Sequence, residues 1–436
     1  MDYQETINYL FTSAPLFQNV GGDAYKEGLY NTHQLDAHFG HPHQHFKTIH
    51  VAGTNGKGSC SHTLAAILQA SGLKVGLFTS PHLVDFRERI RVNGEMVSED
   101  NVVNFVEQHR SFFEPLHPSF FELTTAMAFK YFAEQGVDVA VVEVGLGGRL
   151  DCTNIITPEV CVITNISFDH VMFLGNTLAK IAGEKAGIIK QGIPVVIGEV
   201  VKETRPVFEQ KAQEMNAPIY WAEEEQEVIK HRFSKKGGIN YQTKNYGKIY
   251  GELGGFCQYK NADTILCAVS RLKERGFNLS DEDVRKGFSQ VCEMTGLMGR
   301  WQTLQQNPQV VCDTGHNIGG FRWIVKQLKK VLFKINNVGA TMRIVFGMVN
   351  DKDISGVLSI MPKEATYYFC QASVKRALPH EVIKNLATQY GLKGKSYPSV
   401  KDAYKAALNE ADPKDFIYVG GSSFVVADLL STGIKG

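Results

Sequence analysis

Short apolar runs alternate with longer stretches of helical period along most of the chain. Residues 48–52, 74–81, 137–144, 160–166 and 194–197 read as strands, rich in Val, Ile and Leu and apolar nearly throughout, as strands buried on both faces are. Helical patterns at 62–70, 99–113, 122–132 and 177–189 separate them. A helix over 3–10 precedes a segment rich in Gly, aromatic and polar residues that reaches Phe46 and reads as a loop and a helix laid over the first sheet. Residues 85–92 are charged and irregular. A helix over 202–217 leads into 218–250, a polar, lysine-rich, weakly β stretch read as an edge hairpin with Lys235-Lys236-Gly237-Gly238 as a solvated turn. Helices over 262–275 and 280–291 follow, and 296–301 reads as a linker. Beyond it, strands at 309–313, 342–348, 366–370 and 415–419 alternate with helices at 321–333, 380–390, 400–409 and after Phe424. Strand-helix alternation of this kind implies a parallel, doubly wound α/β sheet in each half.

Length sharpens this picture. A chain of 436 residues with 43% hydrophobic residues is too long for one ordinary core and has ample apolar side chains for two, so we place domains at 1–297 and 298–436. The formal net charge of +1 gives no footing for nucleic acid or an acidic membrane as partner. Cys60, Cys152, Cys161, Cys257, Cys267, Cys292, Cys312 and Cys370 are dispersed, without a C-x-x-C pair, as expected of reduced thiols in a cytosolic protein. The N-terminus lacks a basic and apolar leader pattern and no apolar run approaches membrane length, so the chain is expected in the cytoplasm, as a monomer acting on small molecules.

The chemistry centres on Gly53-Thr54-Asn55-Gly56-Lys57-Gly58-Ser59. A strand entering a glycine turn and then a helix presents backbone N–H groups and the positive helix end to an anion, and Lys57 adds charge. The first glycine of a G-x-x-x-x-G-K-[ST] pattern would fall on Val51, and Lys57 is followed by Gly58, so the loop is a variant of that phosphate cradle. The fold class is therefore α/β, with a P-loop-type, mostly parallel sheet domain and a smaller Rossmann-like C-terminal domain. Glu143 closes a buried apolar strand, where a carboxylate needs a compensating cation: Mg²⁺ beside bound phosphates, or alternatively Arg149 or a lysine. Ser80 and Asp169-His170 also stand at strand ends, where an open α/β sheet gathers ligands. The histidines at 33, 38, 41, 43, 45 and 50 lack nearby acidic or thiol partners in the sequence and read as solvated, ahead of a metal site.

Taken together, the 53–59 loop, Thr79-Ser80-Pro81-His82-Leu83, the run Glu143 to Asn154, Asp169-His170, Glu184-Lys185-Ala186-Gly187 and Asp313-Thr314-Gly315-His316-Asn317 resemble the folylpolyglutamate synthase/dihydrofolate synthase family of the Mur ligase superfamily. The resemblance runs in order from about residue 30 to 430. It implies an ATP-binding Mur-ligase-type domain, a C-terminal glutamate-ligase domain, and an ATP-dependent amide ligase that joins L-glutamate to dihydropteroate or a reduced folate. By motif position it implies that Gly53, Thr54, Asn55, Gly56, Lys57, Gly58 and Ser59 hold the ATP phosphates. Ser80, Glu143 and His170 would ligate Mg²⁺, and Lys185 matches the lysine carbamylated in the family to support a second metal ion, where as an ordinary amine it would instead pair with phosphate. Asn261, Arg300 and Asp313 fall at nucleotide-contacting positions, His316 at the histidine of the second domain's first turn, and Phe121, Glu122, Leu150, Asp151 and Cys152 in pterin-pocket segments. The family usually has Ala at Cys152 and Thr314, and Pro where Met298 precedes Gly299-Arg300.

The reaction implied is attack of a substrate carboxylate on the γ-phosphate to give an acyl phosphate, then attack by the glutamate amine. The metal ions, Lys57 and Arg300 would offset the charge, domain closure would exclude water, and His316 would orient phosphate or take the amine's proton. Two other readings stand beside it: a Mur-type ligase of a peptidoglycan precursor, and a P-loop switch that uses ATP for conformational change.

Overall fold

In the computed structural model, which describes residues 1–13, 28–234 and 237–433, the apolar runs pair with one another through crossovers. β1 (Lys47–Ala52), β2 (Val75–Phe78), β5 (Val139–Glu143), β6 (Val160–Ile163), β7 (Val195–Ile197) and β8 (Ile219–Trp221) are parallel, and β3 (Ile90–Val92) and β4 (Glu95–Met96) add an antiparallel edge. The spatial order is β4-β3-β2-β5-β1-β6-β7-β8. Every residue of β2, β5, β6 and β7 is buried, the reason their sequences are apolar without alternation. On one face the helices Lys57–Ala70 and Gln258–Glu274 pack with Val75, Val139 and Val162. Phe105, Phe120, Phe129 and Phe132 from the helices Glu99–Phe113 and Phe120–Glu134 cover part of the other.

Contacts divide the chain into two units, Met1–Glu252 with Gln258–Leu297, and Leu253–Cys257 with the residues from Met298 onward. The second unit has its own sheet, in the order β12 (Gln302–Gln306), β13 (Gln309–Asp313), β17 (Phe416–Gly420), β14 (Met342–Phe346), β15 (Thr366–Cys370) and β16 (Lys393–Tyr397), all parallel except β12. Its core is built from Val311, Phe321, Ile344, Phe369 and Tyr418 among others.

Several elements differ from the sequence expectation. The stretch 218–250 is not one edge hairpin: β8 completes the first sheet, and β9 (Val228–Phe233), β10 (Ile239–Thr243) and β11 (Lys248–Gly251) form a separate antiparallel sheet. Ile239 and Tyr241 alternate with exposed Asn240 and Gln242, and their apolar face joins the core under the helix Gln258–Glu274. Lys235 and Lys236 lie outside the described residues, as does 14–27 of the segment before Phe46. Residues 85–92 are ordered by a capped helical turn, Phe86–Arg89, and then by β3. β12 and β16 were missed because both are polar strands at sheet edges, where one face and one side need no apolar cover. All eight cysteines are free. Among the described residues no helix is long and apolar enough to cross a membrane.

β1 carries a polar residue into the sheet. His50 is fully buried and its Nε2 lies 2.8 Å from Thr153 Oγ1; burial first, and Lys190 second, push its pKa down to about 3. The folded form therefore stays neutral between the ordinary histidine value and pH 3, while the unfolded chain takes up a proton. Stability from this group is present above pH 6.5 and is lost as pH falls. Between pH 7 and 5 the wild type should lose about 2 kcal/mol more than His50→Asn. Chemical denaturation at the two pH values checks this, and equal losses would refute it.

Candidate functional site

The strand order creates a switch point. From β1 the chain crosses to β2 on one side, and from β5 it crosses to β6 on the other, so the carboxyl ends of β5, β1 and β6 open onto one crevice. The loop after β1 lies in it. Its backbone is pinned to the chain leaving β6: Thr54 N donates to Asn165 O (2.9 Å), Asn55 N to Asn165 Oδ1 (3.1 Å), and Thr164 Oγ1 and Asn165 Nδ2 both donate to Asn55 O (2.6 and 3.1 Å). Asn55 Nδ2 donates to Ser167 Oγ at 3.1 Å. Two glycines are required by this fit. Gly53 has φ +143° and a Cβ there would stand 1.9 Å from Thr164 Oγ1; Gly56 has φ +86° and its Cβ would meet Asn261 Oδ1 at 2.5 Å.

The helix Lys57–Ala70 begins directly at the loop, earlier than the expected 62, so the N–H groups of Lys57, Gly58 and Ser59 have no intrahelical acceptor. Lys57 Nζ curls back to the carbonyls of Gly53 and Thr54 at 3.1 and 3.2 Å, where its charge stands over the loop. Asn261 is brought to the same place from far along the chain. Its Nδ2 donates to Gln258 Oε1 (2.8 Å), and Gln258 Nε2 donates to Ser59 Oγ (3.2 Å).

Beside the loop, the parallel register sets Val51 opposite Glu143 and Phe78 opposite Val142, which brings the residues after β2 next to Glu143. Ser80 N donates to the buried Glu143 carboxylate at 3.3 Å. Arg149, an alternative partner for Glu143 in the sequence reading, is paired with Glu184 at 2.9 Å. His170, in the left-handed region, follows buried Asp169, whose Oδ1 accepts from His170 N at 2.9 Å. Lys185, on the helix Leu178–Ala186, is buried; desolvation, helped by the nearby charge of Lys57, pushes its pKa down to about 7 against the opposing pull of Asp169 and Asp151. A serine hydroxyl, a carboxylate and one imidazole at neighbouring strand ends suit a hard divalent cation that also takes phosphate oxygens. Among the described residues no group of three His, Cys, Asp or Glu stands together as a metal site.

The pterin-pocket candidates have clear local partners. Glu122 is buried and closes a capping box, its Oε2 accepting from Ser119 N at 2.6 Å. Phe121 packs its ring 5.7 Å from that of Phe78. Asp151 is buried, accepts from Leu146 N (2.8 Å) and Thr153 N (3.0 Å), and is raised in pKa by burial. Leu150 and Cys152 flank it, both half-buried.

In the second unit, Arg300, Asp313 and His316 come together at the end of β13. Asp313 Oδ2 accepts from Trp301 N and Oδ1 from Gly315 N, both at 2.8 Å; burial raises its pKa against these bonds and Arg300. Arg300 Nη1 donates to Thr314 Oγ1, and His316 Nδ1 lies 3.1 Å from Thr314 O.

The solvated-histidine expectation holds for His33, His38, His41 and His45 in exposure, but a partner was missed. Asp36, buried, takes His41 Nδ1 and His43 Nδ1 at 2.6 Å each, and His50 lies inside the sheet. The spacing Asp36-x₄-His41-x-His43 across a helix end was the available signal. Sequence reasoning also missed Thr164, Asn165 and Gln258 as loop partners; the polar Thr-Asn pair ending an apolar strand was their only local mark.

Comparison with known proteins finds the Mur ligase middle domain over residues 51–249 and the Mur ligase glutamate ligase domain over 299–423. The chain is 33% identical over 418 residues to a dihydrofolate synthase/folylpolyglutamate synthase of Bacillus subtilis, covering 93% of this chain and 94% of that one. It is similar to the solved folylpolyglutamate synthase of Mycobacterium tuberculosis complexed with ADP, with TM-score 0.85 and 28% identity over 99% and 98% of the two chains. A solved bifunctional folylpolyglutamate synthase/dihydrofolate synthase with Mn, AMPPNP and L-glutamate bound gives TM-score 0.80 and 29% identity over 99% and 98%. If the loop after β1 is a phosphate cradle, Gly53→Ala should weaken ADP binding at least tenfold by calorimetry while far-UV circular dichroism stays as in the wild type. Unchanged affinity would remove the loop from the nucleotide site.

Proposed function

The chain belongs to the folylpolyglutamate synthase/dihydrofolate synthase family, and on that premise we propose that the crevice at the carboxyl end of its first sheet receives ATP and an acceptor carboxylate. It is an ATP-dependent carbon–nitrogen ligase, adding L-glutamate to dihydropteroate, to tetrahydrofolate (poly)glutamates, or to both. The observation that carries the site assignment is the pinned 53–56 loop, opening a helix N-terminus beside buried Glu143. The first unit is then the ATP-binding part and the second the glutamate-ligase part.

In this reading an acceptor carboxylate oxygen attacks the γ-phosphorus, the bond to ADP breaks, and an acyl phosphate forms. The glutamate amine then attacks the acyl carbon, and phosphate leaves from the tetrahedral intermediate. The N–H groups at 57–59 and Lys57 Nζ hold the phosphates, and Asn261 lies against the loop's last glycine. Ser80, Glu143 and His170 would hold Mg²⁺, which neutralises phosphate charge when bound. Lys185 would suit carbamylation because an amine with its pKa lowered to about 7 is partly neutral and can attack CO₂, releasing a proton and becoming a carboxylate able to support a second cation. Arg300 offsets phosphate charge in the second unit. His316 Nδ1 lies 3.1 Å from Thr314 O, which holds the ring at this turn, where it would orient phosphate or take the amine's proton.

Pure protein given ATP, Mg²⁺ and L-glutamate should form a glutamyl product with dihydropteroate, tetrahydrofolate or both; no product from either overturns the folate assignment. Glu143→Gln should lower kcat at least a hundredfold with thermal unfolding unchanged, and near-normal turnover would remove Glu143 from the cation site. Lys185→Ala should lose at least tenfold in kcat and recover part of it in formate or acetate. Failure of either carboxylate to restore rate argues for an unmodified amine.

A further inference from the structure

One buried cation has no part in the scheme above. Arg89 ends the helical turn Phe86–Arg89 and leads into β3, and its carbonyl accepts from Thr79 N at 3.1 Å, one residue before Ser80. The residue is 3% exposed. Its Nε donates to His82 Nδ1 at 2.7 Å. That bond requires an imidazole with its lone pair on Nδ1. Phe11 stacks on His82, Phe86 meets it edge-on, and the guanidinium lies over Phe120 at 5.2 Å.

The carboxylates nearby are occupied elsewhere. Glu88 spends its two oxygens on the backbone N–H groups of Leu83, Val84 and Asp85, each at 2.8 Å. Asp85 takes Arg87 and Tyr3. Among the described residues neither Nη of Arg89 has a hydrogen-bond acceptor, and neither is sealed from the surface. Burial pushes the Arg89 pKa down to about 10, and Glu88 first and Glu143 second, acting through space, favour its charged form. A guanidinium withdrawn from water, bonded only through Nε to a neutral ring, is costly to keep unless an anion completes it. With Nε engaged, the remaining donors are the two parallel N–H groups of the Nη end, which match the two oxygens of one carboxylate.

We propose that Arg89 anchors the acceptor's carboxylate through its paired Nη groups, with His82 as the positioning residue that aims the fork and the phenylalanine box as its dry wall. The proposal rests on the ligase reading above. It supplies what the sequence motifs left out: a residue that selects an acid over its neutral analogue and presents the carboxylate near Glu143. The same fork would fit a nucleotide phosphate, so the test separates the two oxyanions.

Pteroate and its carboxamide are titrated into wild-type protein, Arg89→Lys and Arg89→Met, with ADP titrated in parallel. The wild type should bind pteroate at least tenfold more tightly than the amide. Both variants should lose that preference and raise the KM for acceptor at least tenfold, with ADP affinity within twofold of wild type. Arg89→Lys keeps the buried charge and should melt near the wild-type temperature. Equal wild-type affinity for acid and amide overturns the proposal without any variant. Retained preference in Arg89→Lys overturns the fork, and a tenfold fall in ADP affinity with acceptor binding intact assigns the fork to phosphate instead. If wild-type protein makes no product from either pterin, the functional reading fails on its own account, separately from the acid-over-amide comparison.

Discussion

The hydrogen bonds between the 53–56 loop and the chain leaving β6 are the constraint on which the crevice depends. A turn with two glycines in the left-handed region has little stiffness of its own. Thr164, Asn165 and Ser167 supply it from the neighbouring strand, using both backbone and side-chain groups of Thr54 and Asn55. With those groups satisfied internally, the amides at the start of the following helix are the ones left for an anion. Strand order makes this possible, since β6 lies directly beside β1 and the loop needs only to lean across one strand spacing.

Around that loop the fold buries more charge than a structural core would tolerate. Glu143, Asp151, Lys185 and Arg89 are all under a tenth exposed. They are stabilised in different ways: Asp151 by backbone N–H groups, Arg89 by an imidazole, and Lys185 by a shift toward its neutral form. Concentrated, oppositely shifted groups at one sheet edge mark a functional site on physical grounds.

Legibility in the sequence followed locality. β1, its glycine loop and the strand ending at Glu143 were readable because apolar run, turn and carboxylate are contiguous. So was the second unit's turn at Asp313 to Asn317. β12 and β16 were not, because an edge strand such as Lys393–Tyr397 does not have to be apolar. The pairing of Asp36 with His41 and His43 was hidden by a helix end that folds the chain back on itself. Glu122 and Asp151 were found by motif, yet their capping bonds are visible only once the helix starts are placed. Arg89 escaped because its meaning lies in what its neighbours are already bonded to, a property no local window contains.

The bond from Gln258 to Ser59 spans 199 positions, and the same helix sets Asn261 against Gly56. A chain emerging from the ribosome would thus carry the glycine loop through 199 further residues before the helix that backs it begins. Nucleotide bound in the proposed crevice would reward only the nearly finished first unit over any shorter, earlier one. Long-range closure of this kind slows assembly and would tie the gain from ligand to the last elements of the first unit.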